Sequence, residues 1–237
     1  MESVLLDVAG HRRSPATMPG YHRGRPPRNK GEQYPADPPT VEEIVTVMRT
    51  VGDRSNGHRL RALIVLLWRA GLRISEALAL QESDLDQSRG AVLVRRGKGG
   101  KRREVGMDRW AWEQLEPWLE IRQQLPIGVL LCVMHGPTAG RRWEASAARK
   151  QLHHAAAGAG VRRRFAPHQL RHAHAVEMAH EGVPPVVIQR QLAHIQHANL
   201  GITSIYLQGI DSSEIISTVH GRPSPTISAS AGLMMRR

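Results

Sequence analysis

From Thr40 onward, apolar residues recur at helical intervals. Val41, Ile44, Val45, Met48 and Val51 share one face. Thr40 and Glu43 form a T-x-x-E capping box behind Pro38-Pro39, which predicts a helix start there. After the polar break at 52–57, residues 58–70 predict a second helix with Leu60, Leu63, Ile64, Leu67 and Trp68 on its apolar face and Gly71 as its stop. Leu72 to Leu80 restarts a helix with Arg73 in its first turn. The period then changes. Ala91–Val94 and Glu104–Met107 flank the turn sequence Gly97-Lys98-Gly99-Gly100-Lys101, a hairpin signal. Asp108 reads as the N-cap of a helix bearing Trp110, Trp112, Leu115, Trp118 and Leu119, which Pro117 is expected to kink or shorten. The apolar run 127–134 fits either buried extended chain or a short helix, because periodicity alone does not separate them. Residues 145–157 predict an Ala-rich helix ending at Gly158, and Pro167 suits the N1 position of a helix running to about Glu181. Pro184 starts another, and residues 212–216 suggest a last one.

Length and composition add tails to this picture. The 237 residues suit one core with frayed ends. Residues 1–39 are rich in Pro, Gly, Arg and His, with too few apolar positions for a core, and read as a basic, disordered arm. The folded domain is expected over 40–220 and a flexible tail over 221–237. Lys and Arg number 33 against 21 Asp and Glu, a formal charge of +12, which points to a polyanionic partner, nucleic acid first. The single cysteine, Cys132, lies in an apolar run and reads as a buried hydrophobe; it forms no disulfide within one chain. Neither a membrane-spanning run nor a signal-peptide pattern is present, so the expectation is a cytoplasmic protein without a membrane partner.

The candidate chemistry concentrates in residues 167–208. His168 and Arg171 stand three apart on a helix and can grip one small anion, for which a phosphate is the natural guest. Tyr206 offers a phenol as nucleophile to such a phosphate. Arg73 reads either as an anion-binding group at a helix start or as a salt-bridge partner of Glu76 or Asp84. Lys98 and Lys101 sit on a glycine-hinged tip that can reach a DNA groove or a leaving group; as a plain solvated turn, the same residues protect an edge hairpin. Arg95, Arg96 and Arg102 flank that tip, and Arg162, Arg163 and Arg164 precede Pro167; all are candidates for phosphate contacts. His168, His172 and His194 or His197 could be drawn around zinc, but neither an HExxH pattern nor a Cys ligand accompanies them, so no metal is expected.

Four stretches resemble the tyrosine recombinase (phage integrase) family, XerC/XerD-like members included. Ala70-Gly71-Leu72-Arg73-Ile74-Ser75-Glu76-Ala77-Leu78 looks like its first arginine motif, and Gly97-Lys98-Gly99-Gly100-Lys101 like its catalytic-lysine hairpin. His168-Gln169-Leu170-Arg171-His172 is similar to its H-x-L-R-H box, and His197 to Tyr206 to its closing segment. The resemblance implies a mainly α domain with a small antiparallel β-sheet, and a site-specific recombinase or integrase that needs no metal or other cofactor. It implies catalytic roles for Arg73, Lys98, His168, Arg171 and His197, with Tyr206 as the nucleophile that forms a 3′-phosphotyrosine on double-stranded DNA. His194 and Lys101 are alternates for His197 and Lys98, and His172 reads as support for the Arg171 helix. A homo-oligomer, four protomers on two DNA sites, or a partner recombinase is also implied.

Two departures accompany the resemblance. His194 keeps the family's distance from the second arginine and His197 its distance from the tyrosine, as if three residues were inserted between Ala193 and His197. Family members usually carry a separate N-terminal helical domain, which residues 1–39 cannot form. The alternative expectation is therefore a catalytically impaired, DNA-binding remnant of a mobile-element integrase.

Overall fold

A computed structural model describes residues 9–11, 37–192 and 212–225, apart from the side chains of Lys98 and of 212–214. The chain divides into two units, residues 1–36 and 37–237. In the first, the described residues form a turn at Gly10.

The second unit is mainly helical. Among its described residues the helices are α1 (Val41–Thr50), α2 (Ser55–Trp68), α3 (Ile74–Ala77), α4 (Arg109–Arg122), α5 (Ala145–Gly158), α6 (Pro167–His180), α7 (Pro185–Gln191) and α8 (Ser212–His220). One antiparallel sheet lies between α3 and α4, in the order β1 (Leu85–Asp86), β2 (Ala91–Val94), β3 (Arg103–Gly106). Its register pairs Leu85 with Val92, Val92 with Val105 and Val94 with Arg103.

Helix α2 is the centre of the core. It starts at Ser55, earlier than its apolar face alone predicts, and every residue from Ala62 to Trp68 is fully buried. A helix apolar on all sides has to be enclosed, and α1, α3, α4, α5 and α6 pack around it. Helix α1 enters through the expected box: the Thr40 backbone N–H donates to Glu43 Oε2 at 2.8 Å and Glu43 N–H to Thr40 Oγ1 at 3.3 Å. Helix α4 starts as expected, with Ala111 N–H donating to Asp108 Oδ1 at 3.2 Å. Pro117 does not end it. Trp112, Leu115 and Trp118 hold the helix in the core on both sides of the proline, and Trp118 Nε1 donates to Leu130 O at 3.1 Å. The tryptophans are packing groups.

The run 127–134 is not a helix but irregular chain with two isolated β-bridges. Val129 bridges Gln81, Cys132 bridges Arg142, and Leu130, Leu131 and Cys132 are fully buried. Helix α8 packs on β3 so closely that a Cβ at Gly106 would meet Val219 at 2.5 Å. The buried Gln191 of α7 ties the same strand to the end of α2. Its Oε1 accepts from Gly106 N–H at 3.0 Å, and its Nε2 donates to Gly106 O at 2.7 Å and Ala70 O at 3.1 Å. Beyond α8, Arg222 is buried rather than solvated, although it falls in the segment expected to be a flexible tail. Among the described residues no helix is long and apolar enough to cross a membrane.

Candidate functional site

The site is built where α2 ends and α6 begins. Gly71 stops α2 with φ at +64°, and a Cβ there would meet the His174 ring at 2.6 Å and Leu192 at 2.8 Å. Only glycine lets the chain turn this closely beside α6. Arg171 closes the junction: its Nη1 donates to Gly71 O and its Nη2 to Leu192 O. The side chain is 3% exposed. Burial lowers the Arg171 pKa to about 10, with the nearby charges of Arg73 and Arg103 adding to the shift and Glu76 opposing it. An arginine at about 10 is still charged at neutral pH, and it sits among other cations in a partly desolvated place. Such a group is stabilised by an incoming anion.

Arg73 does not lie inside a helix, as its sequence position suggests. It is the extended residue before the four-residue α3, because its backbone N–H and its guanidinium both turn to Glu76. The N–H donates to Glu76 Oε2 and Nη1 to Glu76 Oε1, each at 2.9 Å. The salt bridge to Glu76 is thus present, whereas Asp84 pairs with Arg95. Arg73 still keeps 28% of its side chain exposed. Glu76 is 5% exposed. Burial works against its carboxylate, but the hydrogen bonds from Arg103 and Arg73 overcome that and hold its pKa at about 2.

His168 stands one turn before Arg171 on α6 and stacks on His172, ring centroids 5.5 Å apart. Its pKa is lowered by partial burial first, then by His172, Arg171, Arg73 and Arg164. It is therefore neutral at pH 7 and can donate or accept one proton. Arg73 and Arg171 both act electrostatically on His168, and Arg73 on Arg171, so the three side chains lie near one another.

The remaining predicted residues divide. Lys98 opens a 3-10 turn, Lys98–Gly100, at the hairpin tip. Arg96, Lys101, Arg102, Arg162 and Arg164 are exposed. Arg95 and Arg163 are engaged: Arg95 by Asp84 and Ser83, Arg163 by Asp37, Glu43 and the Pro38 carbonyl. His194, His197 and Tyr206 lie outside the described residues. The described residues contain no group of three or more His, Cys, Asp or Glu side chains placed to hold a metal.

One residue at the site escaped the sequence reading. Arg103, on β3, donates from Nη1 to Glu76 Oε1 at 3.0 Å and from Nη2 to Glu76 Oε2 at 2.9 Å. Strand alternation carried the signal. Arg103 shares a face with Val105, which is fully buried, so a basic residue there has to find a partner.

The family model described as "Phage integrase family" matches residues 37–212. The chain belongs to the phage integrase family. Its similarity extends to tyrosine recombinase XerD of Mycobacterium leprae, 32% identical over 177 residues, which covers 70% of this chain and 55% of that protein. Tyrosine recombinase XerC of Thermodesulfovibrio yellowstonii is 35% identical over 158 residues, 65% of this chain and 51% of the relative. The chain thus spans about half the length of these curated relatives. Among solved structures, a XerA recombinase matches with a TM-score of 0.59 and 24% identity, covering 81% of this chain and 68% of that one. XerH recombinase bound to its difH substrate in a post-cleavage complex matches with a TM-score of 0.58 and 26% identity, over 78% of this chain and 52% of that one. The mainly helical architecture with a small antiparallel sheet is accordingly that of the phage integrase family's catalytic domain.

Proposed function

We propose that this chain carries the catalytic domain of a site-specific DNA recombinase, which breaks and rejoins strands through a 3′-phosphotyrosine. The observation that carries the reading is an imbalance of charge. Around one spot Arg73, Arg103 and Arg171 face a single carboxylate, Glu76, with His168 neutral beside them. The surplus positive charge suits a phosphodiester and suits still better the more highly charged pentacoordinate state through which it reacts. Relatives of the same fold that are bound to DNA, XerH on difH and the Tn1549 integrase on circular-intermediate DNA, support duplex DNA as the substrate.

In this reading Tyr206 Oη attacks the scissile phosphorus in line, and the bond from phosphorus to the 5′-oxygen breaks. Arg73 and Arg171 hold the non-bridging oxygens. His168 donates to one of them or takes the tyrosine proton. Lys98, with Lys101 as its alternate, gives a proton to the departing 5′-oxygen. His197, or His194 in the other register, donates to the phosphate. A free 5′-hydroxyl from a second strand then attacks the phosphotyrosine and returns the tyrosine. The bond energy stays in the phosphotyrosine, so the exchange needs no nucleotide. Arg96, Lys101, Arg102, Arg162 and Arg164 track the backbone phosphates, with Arg95 and Arg163 contributing once released from their carboxylates. The strand exchange calls for several protomers, four on two DNA sites or a mixture with a partner recombinase.

The test uses a pool of duplexes with a randomised core and one nicked strand, so that the piece beyond the cleavage point diffuses away. The full chain is expected to leave an SDS-resistant adduct through Tyr206, and Tyr206→Phe to bind the same duplexes without one. Binding by both forms with no adduct from either would support the DNA-binding remnant instead.

A further inference from the structure

The Arg103 side chain is not explained by strand pairing or by surface solvation. Its side chain is 13% exposed, and both terminal nitrogens are spent on one carboxylate at 2.9 and 3.0 Å. That carboxylate is the one that holds the Arg73 backbone and guanidinium. The Nη1 that donates to Glu76 also packs against the backbone at Gly97, where a Cβ would meet it at 2.6 Å. Gly97 closes the hairpin mouth by donating to Lys101 O at 2.9 Å, and the next residue is Lys98. One guanidinium therefore touches the support of Arg73 and the base of the Lys98 turn.

We propose that Arg103 is a positioning residue for strand cleavage: through Glu76 it orients Arg73, against Gly97 it sets the Lys98 turn, and its charge cancels that of Glu76. The proposal rests on the recombinase reading given above. Two consequences follow from the geometry. Without Arg103 the buried Glu76 carboxylate would turn wholly to Arg73 and offset the charge that Arg73 offers the phosphate. The turn carrying Lys98 would also lose the contact that fixes its start, and misplacement of a reacting group by about 1 Å can lower a rate roughly 100-fold. The Arg103 fork is matched to both oxygens of Glu76, which a lysine cannot reproduce.

The experiment measures single-turnover adduct formation by the full chain on the nicked randomised pool, alongside DNA affinity and thermal melting. Arg103→Met is expected to slow adduct formation roughly 10- to 100-fold with DNA affinity changed by less than about threefold, a change well under 1 kcal/mol. Arg103→Lys keeps the charge, guards against a folding defect in the methionine variant, and is expected to recover only part of the rate. The decisive variant is the pair Arg103→Met with Glu76→Gln. Removing the uncompensated carboxylate should restore at least part of the rate lost in Arg103→Met, a result that a merely structural role would not give. An unchanged rate in Arg103→Met, or no recovery in the pair when both proteins melt normally, overturns the role of Arg103 alone. Absence of an adduct from the unaltered chain overturns the recombinase reading and this role together.

Discussion

Helix α6 joins two arginine clusters that handle charge in opposite ways. Near its start, Arg171 and His168 belong to a group in which Arg73, Arg103 and Arg171 outnumber the one carboxylate, Glu76. Further along the same helix, Glu177 and His174 join a group in which Arg69 and Arg222 meet Asp108, Glu177 and Glu181. The second group closes on itself. Arg69 spends Nε on Asp108 and Nη1 on Glu177 at 2.7 Å each, and Nη2 on the Pro223 carbonyl at 3.1 Å. Arg222 forks onto Glu181 at 2.6 and 3.0 Å and donates to His174 Nδ1 at 3.0 Å. Its acids are slightly in excess, and burial, with Glu181 adding to it, raises the Glu177 pKa against the pull of Arg69, Trp68 and Arg222. A buried charge network that satisfies its own members holds chain segments together. One that leaves cations over can accommodate an anion the chain does not supply.

The sharpest way to break that comparison is to remove one arginine from each cluster and read both chemistry and stability. Arg171→Ala or Arg73→Ala should lower the single-turnover rate of adduct formation by about 10²–10³, the usual loss for one donor to a transition-state oxyanion. Arg222→Ala should leave the rate per folded molecule within about twofold, a difference below 0.5 kcal/mol. A comparable loss of rate in Arg222→Ala, at a temperature where it is fully folded, would erase the distinction between the clusters.

Stability should show the reverse order. Arg222 has 2% of its side chain exposed, and its removal leaves the partly buried Glu181 without its ion-pair partner, while Glu177 keeps Arg69. Breaking such a pair from one side costs roughly 3–5 kcal/mol, so Arg222→Ala is expected to lower the urea midpoint substantially. Arg73→Ala should cost less than about 1 kcal/mol, because Arg73 is more than a quarter exposed and Glu76 retains Arg103.

The two clusters also differ in how far the sequence discloses them. The helices and the hairpin were legible because their signals are local: the Thr40–Glu43 box, the Asp108 cap, the apolar spacing of α1 and the glycine tip between two apolar runs. Arg73, His168 and Arg171 were singled out because their motifs resemble a family, and the fold brings their charges near one another. Arg103 and Arg222 were not. Each takes its meaning from partners far along the chain, Glu76 for Arg103 and Glu181 for Arg222, and no period or cap encodes such a pair. The run 127–134 was undecidable for the same reason, since its bridges to Gln81 and Arg142 are set by tertiary contact. The positions of His194, His197 and Tyr206 fall outside the described residues, so the two histidine registers are separated by comparing adduct formation in His194→Gln and His197→Gln.

The smallest expected effect concerns pH and again separates the clusters. His174 is fully buried, with Nδ1 accepting from Arg222 and Nε2 without a hydrogen-bond partner. Burial, then the charges of Arg222, Arg69 and Arg171, push its pKa well below the usual 6.5. The unfolded chain takes up a proton near pH 6.5 while the folded chain does not, so stability is lost as pH falls below that value. For one such group the slope approaches about 1.4 kcal/mol per pH unit. Urea midpoints should therefore fall between pH 7 and pH 5.5, and His174→Gln, which keeps an acceptor for Arg222, should flatten that fall. His168 also has a lowered pKa, but it lies at the exposed start of α6 and its shift is screened by solvent, so His168→Gln should leave most of the slope in place. If the slope instead follows His168, the titrating charge belongs to the cation-rich cluster, and the closed cluster is not the acid-sensitive part of the fold.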